Sequence, residues 1–446
     1  MTRILYFMLM ILLIAGSAAA ENRRLSIRDA VTIAAGSSNQ VRAAGFKAEA
    51  AQFDVDIAGS RYLPRINFEE SFSASNSPTQ TFMMKLDQGR FTQSDFQINN
   101  LNNPGTQQDF RTAVVLTLPL FDPSISPARE IAARDAESQG IVLESSRQEA
   151  AFKAFRLYLE VQKATAKVHA TETALADAKE NLRLAEIRTK AGTGLRSDEL
   201  RARTYLAVIE QNLLADNNTL TLAKMQLENL LGFKEGDNID VDDAVAIVTP
   251  EKNRDELVRV ALENRSDLQQ TKVGLEKADA EIRRANRSYL PTVTAFASYQ
   301  LNARDIPFGS DNDSWIAGGA LTWQIFDGFS RRSEYGKAVA NRSAASELLE
   351  NKRKDIRYSV RESLLKHDEA VQRLEVARRT VQDAEETVRL ISRRYENSLA
   401  TMFELLDAQT VLNQTRAGLI ENEADLALSG GRVYYANGTF LKEMSK

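Results

Sequence analysis

Residues 393–410 read RRYENSLATMFELLDAQT. The stretch interrupts two long segments in which apolar residues recur every three or four positions. Asn397 and Ser398 are expected to stop the first segment. Thr401, with Glu404 three residues on, has the spacing of a capping box that starts the next helix. Asp407, three residues further, falls on the same helical face as Glu404. A partial echo, GTGLRSDELRART, occupies residues 192–204. There Gly192 and Gly194 permit backbone shapes that end a helix, including positive φ, and Asn397 is expected to act in the same way. Ser197 is the expected N-cap. Asp198 and Glu199 follow in the first turn, where exposed N–H groups favour negative charge.

Outward from these turns, the chain reads as two copies. Tyr62-Leu63-Pro64 returns as Tyr289-Leu290-Pro291, an offset of 227, and LTLPLFDP at 116–123 returns as LTWQIFDG at 321–328, an offset of 205. The first copy therefore carries extra residues between its YLP and its second strand. They lie in SPTQTFMMKLDQGRFTQSDFQINNLNNPG (77–105), which is polar, rich in Asn and Gln, and expected to be a long loop. Each half is expected to hold a helix (26–60; 252–288), a strand (66–75; 292–301), a second strand (110–120; 315–325), a very long helix (124–190; 329–396) and a return helix (197–231; 403–435). The domain division is a signal peptide (1–20), a first repeat (21–232), a linker (233–250), a second repeat (251–435) and a tail (436–446) that packs along the bundle or trails free.

The strands rest on period two. Ile66, Phe68, Glu70, Phe72 and Ala74 share one side, which is mainly apolar; so do Phe110, Thr112, Val114, Leu116, Leu118 and Leu120, and Val293, Ala295, Ala297 and Tyr299. Trp315 and Trp323 fall on one face at opposite ends of one strand and, with Tyr299, have the pattern of a membrane aromatic girdle. Strands of about ten residues suit a tilted membrane span, although a soluble four-stranded sheet stays open. Each long helix would measure about 100 Å, more than a globular core requires. Its narrow apolar stripe calls for neighbours on both sides, and an ordinary antiparallel coiled coil stays open.

The N-terminus, MTRILYFMLMILLIAGSAAA, has the basic start, apolar core and small-residue cleavage site of a secretory signal peptide. The chain has no cysteine, and 57 Lys and Arg stand against 61 Asp and Glu, a balance that points away from nucleic acid. No later segment reaches 18 apolar residues, so a mature chain that crosses a membrane must do so as strands. Four strands cannot close a barrel, and open edges in lipid cost several kcal/mol for each unpaired group, so copies must pool their strands. The two histidines, His169 and His367, stand apart on long helices and read as surface or groove residues. No phosphate loop, metalloprotease motif or nucleophile elbow occurs. The expectation is no enzyme, no cofactor and no metal.

With its double repeat, its YLP before each first strand, LTLPLFDP and LTWQIFDG before the long helices, and RRYENSLATMFELLDAQT at the second turn, the chain resembles the outer-membrane efflux protein family, the TolC-like trimeric channels of Gram-negative bacteria. The resemblance covers essentially the whole mature chain. It implies a mainly α fold with a membrane β-barrel: a homotrimer with a 12-stranded barrel, four strands per chain, continuous with a long periplasmic α-helical barrel. It also implies outer-membrane lipid around the barrel, and as partners a periplasmic adaptor protein and an inner-membrane pump of RND or ABC type. Carried over residue by residue, the family's acidic constriction falls on Glu404 and Asp407, and its gate latch on Tyr395 and Asp198. The family's second-turn Arg is Ala400 here, and its second-turn Gly is Ser398. The function implied is an exit duct for efflux or type I secretion; a periplasmic coiled-coil adaptor or scaffold is the alternative.

Overall fold

The computed structural model describes residues 23–233, 239–242, 249–250 and 253–444. The expected signal peptide and most of the linker lie outside them. In order, the elements are β1 (Arg23–Leu25), α1 (Ile27–Ser37), α2 (Asn39–Ser60), β2 (Arg65–Ser75), α3 (Pro78–Asp87), α4 (Ile98–Asn102), β3 (Gln107–Phe121), α5 (Ile125–Lys190), α6 (Arg196–Leu231), β4 (Ile239–Val241), α7 (Arg254–Asn264), α8 (Ser266–Arg287), β5 (Thr292–Ala303), β6 (Asn312–Thr322), α9 (Ser330–Glu396), α10 (Met402–Ala436) and α11 (Phe440–Met444). Two compact units divide the chain. Of the described residues, one holds those up to Phe46, those within Gly140–Gln270 and those from Glu350 onward; the other holds Lys47–Gln139 and Thr271–Leu349.

The expected helices 26–60 and 252–288 are each two helices. The first breaks at Ser38 (φ −61°, ψ 143°) and the second at Arg265 (φ −67°, ψ 120°). Ser38 Oγ accepts the Val41 N–H and so starts α2. The Arg265 guanidinium is gripped by both oxygens of Asp267 and donates to the Ala436 carbonyl at 3.1 Å. The two break points have the same 227-residue offset as the YLP pair.

The second unit contains a four-stranded antiparallel sheet in the order β2-β3-β5-β6. Its register puts Phe68 opposite Val114, Val114 opposite Tyr299, and Tyr299 opposite Trp315, so one face is mainly apolar across all four strands, with Glu70, Thr112 and Asp313 in the next row toward the β2-to-β3 connection. The other face carries Arg65, Asn67, Glu69, Arg111, Gln300 and Asn302. β6 ends at Thr322, three residues short of the expected end, and Trp323 lies just past it. There its indole N–H donates to the Tyr289 carbonyl at 3.0 Å.

Residues 77–105 are not a long loop. Pro78 starts α3 at a position where its missing N–H is harmless. A single 3₁₀ turn (Gln93–Phe96) and α4 follow. Phe82, Phe91 and Phe96 pack edge to face with centroids 4.5 and 5.0 Å apart for successive pairs, and Lys85 pairs with Asp95 at 2.7 Å. Three aromatics spaced nine and five residues apart make this small core, and no local period announces it.

In the first unit, β1 and β4 form a parallel two-stranded ribbon that the sequence reading missed. Tyr158 of α5 ties it together: its hydroxyl donates to the Leu25 carbonyl at 2.9 Å and accepts from the Asp242 N–H at 3.0 Å. The tail is packed rather than free. Phe440 is fully buried against Phe152 and Phe155, and the approach of Phe155 requires Gly431, where a Cβ would stand 2.5 Å from the ring.

Candidate functional site

The two turns of the first unit have the same backbone plan. Gly192 (φ +73°) donates to the Thr189 carbonyl, and Thr193 to Arg188. Ser398 (φ +61°) donates to the Tyr395 carbonyl, and Leu399 to Arg394, at 3.0 and 2.7 Å. Both are left-handed helix ends. Serine in that conformation costs about 1–2 kcal/mol more than glycine. The left-handed residue is therefore Ser398 and not Asn397, which instead closes its helix with a side-chain bond from Nδ2 to the Arg393 carbonyl, 2.7 Å. Gly194 serves a different need: a Cβ there would lie 2.8 Å from Arg188 Cβ.

At the first turn, Ser197 lies inside α6. The N-cap is Leu195, which offers no side-chain acceptor. The exposed N–H groups meet Asp198 and Glu199 instead, since negative charge is favoured at this end. Glu199 is buried and is paired with Arg196 and Arg203. At the second turn the capping box is complete: Thr401 Oγ1 accepts the Glu404 N–H at 3.2 Å, and Glu404 Oε2 accepts the Thr401 N–H at 2.7 Å. These bonds to Thr401 hold the Glu404 carboxyl below its ordinary pKa. Glu404 and Asp407 are both exposed and line one shallow groove with Phe403, Val411 and Ile391 of about 230 Å³. The structure thus brings the two acids together on one face of α10.

Tyr395 is 5 % exposed and packs with Ala185, Ala202, Met402, Leu405 and Leu406. Burial raises its phenol pKa, nearby Arg188 opposes the rise, and Asp198 adds to it. Asp198 therefore lies within electrostatic reach, but the direct contact is with Arg188. The Arg188 guanidinium sits 4.3 Å from the ring centroid and donates to the Glu396 carbonyl at 2.8 Å. The sequence reading missed Arg188. Its counterpart in the second turn is Arg394, whose carbonyl accepts the matching turn bond from Leu399 as that of Arg188 accepts from Thr193.

Among the other candidates, Tyr299 and Trp315 are cross-strand partners, and Trp323 stands apart beyond the strand end. Of the two histidines expected at the surface or in a groove, His169 is exposed beside Glu172, and His367 is buried with its Nδ1 3.0 Å from Ser429 Oγ. Among the described residues no helix is long and apolar enough to cross a membrane, and no group of three or more His, Cys, Asp or Glu is placed to hold a metal.

A family model described as outer membrane efflux protein matches residues 31–233 and again 257–439. The chain belongs to the outer membrane efflux protein family. This efflux-family chain is 23% identical over 270 residues to the solvent efflux pump outer membrane protein SrpC of Pseudomonas putida; the match covers 60% of this chain and 57% of SrpC. It is 21% identical over 337 residues to the proteases secretion protein PrtF of Dickeya chrysanthemi, covering 73% of this chain and 69% of PrtF. In fold it is similar to CusC (TM-score 0.78, 17% identity, 92% of each chain) and to VceC of Vibrio cholerae (TM-score 0.75, 18% identity, 92% of this chain and 96% of that one).

Proposed function

We propose that this efflux-family chain is the outer-membrane exit duct of an efflux or secretion system. The observation that carries the reading is the sheet. Its two edge strands, β2 and β6, are each 11 residues long and have no further partner among the described residues. Ile66 and Phe68 on one edge and Trp315 and Leu321 on the other are more than half exposed on the apolar face. Unpaired edges are not tolerated in hydrocarbon. Three copies would join β6 of one chain to β2 of the next and close twelve strands, with the apolar face toward outer-membrane lipid and Tyr299, Trp315 and Trp323 as girdle. The long helices would continue as a periplasmic α-barrel. Two family matches and the repeated offset support an internally duplicated chain, with repeats at 21–232 and 251–435 joined by 233–250.

At the turns, threefold symmetry would make rings of Glu404 and Asp407 in a narrow, cation-attracting throat. Tyr395 and Asp198 would latch its closed state. A periplasmic adaptor and an inner-membrane pump would deliver the cargo. The names of SrpC and PrtF, one for solvent efflux and one for protease secretion, support a duct whose cargo the pump selects. The test is fractionation and sizing of the mature chain. It should stay with outer membranes after carbonate washing and run in detergent as a trimer. A detergent-free, water-soluble monomer would overturn the reading.

A further inference from the structure

The insertion at 77–105 docks on one particular side of the sheet. Paired residues in adjacent antiparallel strands share a face, and the register places Arg111 opposite Asn302, and Asn302 opposite Asn312. Asp109, two residues from Arg111, lies on that same polar face. The insertion bonds to these residues. Gln88 is 1 % exposed; its Nε2 donates to Asp109 Oδ1 at 2.9 Å and to the Gln108 carbonyl at 2.7 Å, while its Oε1 accepts from Arg90 at 3.2 Å. Asn302 Nδ2 donates to Asp109 Oδ2 at 2.9 Å, and Asn312 Nδ2 to the Asp87 carbonyl at 3.0 Å. Gly89 takes the left-handed φ of +66° beside Asn312, a conformation that glycine adopts without strain. Thr81, Met84 and Gln88 form the buried stripe of α3 and its cap.

We infer that residues 78–104 form a lumenal plug at the β2-to-β3 end of the sheet, held by the Gln88–Asp109–Asn302 network and restricting entry from outside. The inference rests on the duct reading, because the polar face is the lumen only if the apolar face meets lipid. The folded core of Phe82, Phe91 and Phe96 makes the segment a preformed body rather than a strand connection, and Phe96 and Ile98 remain 63 % and 77 % exposed at its surface. The buried Asp109 carboxylate of the wall accepts one bond from Gln88 of this body and is braced on its other oxygen by Asn302, also of the wall; bonds to a carboxylate are of the stronger, charge-assisted kind.

The native chain has no cysteine, so a single introduced thiol reports access. Ala320→Cys on the polar face of β6 is labelled on whole cells with a membrane-impermeant maleimide, in three backgrounds: the full chain, the chain with 78–104 replaced by a short Gly-Ser linker, and the chain with Gln88→Ala. Labelling should be slow in the first and more than about tenfold faster in the second. In the third it should be intermediate, since Gln88→Ala removes the bonds to Asp109, the Gln108 carbonyl and Arg90 but leaves the Asn312 bond to the Asp87 carbonyl and the buried Thr81 and Met84 in place. Equal rates with and without the segment, or no labelling in either, overturn the plug. Leu321→Cys on the opposite face should stay unlabelled; if it labels in place of Ala320→Cys, the assignment of the faces, and with it the duct reading, fails. Gln88→Ala leaves the strands and the helix turns intact, so a fold lost on deleting the segment does not remove the test.

Discussion

Arg188, near the end of one long helix, lies over the buried ring of Tyr395, near the end of the other, and fastens to the neighbouring Glu396 carbonyl. The two helix tips of a single chain are thereby joined by one side chain. The residue at 400 in the second turn is Ala, and the guanidinium that reaches the tyrosine, that of Arg188, comes from the other helix pair.

Removing that side chain should loosen the tips. Arg188→Ala loses a cation–π contact worth about 0.5–2 kcal/mol together with a hydrogen bond that caps a helix end. The expected result is a lower thermal midpoint and more frequent or larger single-channel openings. Arg188→Lys keeps the charge but not the planar stack and should fall between. Tyr395→Phe keeps the ring and should leave the clamp largely in place, whereas Tyr395→Phe with Asp198→Ala tests the proposed latch. Unchanged openings in Arg188→Ala would reject the clamp.

Ser398 holds a left-handed conformation that its counterpart Gly192 adopts without strain. Ser398→Gly should raise stability by about 1 kcal/mol, the left-handed penalty less the extra unfolded-chain entropy of glycine. Gly192→Ala should lose about as much. Thermal unfolding of the two variants in one detergent compares them directly, and a drop in midpoint for Ser398→Gly would show that the serine side chain contributes something the geometry does not contain.

Glu404 carries a pH signature. Its folded-state pKa is depressed by the Thr401 bonds, so its contribution to stability is fully present above the ordinary glutamate value and is lost as pH falls through the lower folded value. Glu404→Gln keeps an acceptor for the capping box but cannot ionise. The thermal midpoint of the wild type minus that of Glu404→Gln should therefore be constant near neutral pH and shrink below about pH 4.5. A difference that grows on acidification would contradict the assignment.

Much of this was legible in the sequence because it is local. The capping box at Thr401 and Glu404, the glycine at 192 and the period-two strands all depend on neighbours a few residues away. The long helices were legible to within a residue at their starts. What escaped depends on contacts far apart in sequence. The breaks at Ser38 and Arg265 sit inside helix-forming composition, and the second is held by Asp267 and the Ala436 carbonyl. The three-residue strand Ile239–Val241 is too short to show a period and exists because Arg23–Leu25 lies beside it. The insertion looked like a loop because its core of Phe82, Phe91 and Phe96 has no regular spacing. Ser197 was expected at a cap that Leu195 occupies, with acids in the first turn taking the place of a side-chain acceptor.

The constriction reading makes its own forecast. If Glu404 and Asp407 ring a shared throat, neutralising them with Glu404→Gln and Asp407→Asn should reduce selectivity for cations and weaken block by a trivalent cation by at least about tenfold, because several like charges act together in a confined, poorly screened space. Asp407→Asn alone separates pore charge from capping, since Asp407 takes no part in the box. Planar-bilayer recording with asymmetric salt measures both quantities, and retained block in the double variant would remove these residues from the throat.

The buried end of the chain offers a prediction independent of any pore. Phe440 is fully enclosed by Phe152, Phe155 and the helix Ile27–Ser37. Phe440→Ala leaves a cavity the size of a ring among side chains already close-packed, and large-to-small changes of this kind cost about 3–5 kcal/mol. Gly431→Ala attacks the same contact from the other side by pushing a methyl into the Phe155 ring, an overpacking worth about 1–3 kcal/mol. Because the two changes share Phe155, their effects should not add: once Phe440 is gone, the ring can retreat and the methyl is accommodated. The double variant should therefore be less destabilised than the sum of the single ones in thermal unfolding. Strict additivity would mean that Phe155 cannot move, and that some contact other than Phe440 holds it against Gly431.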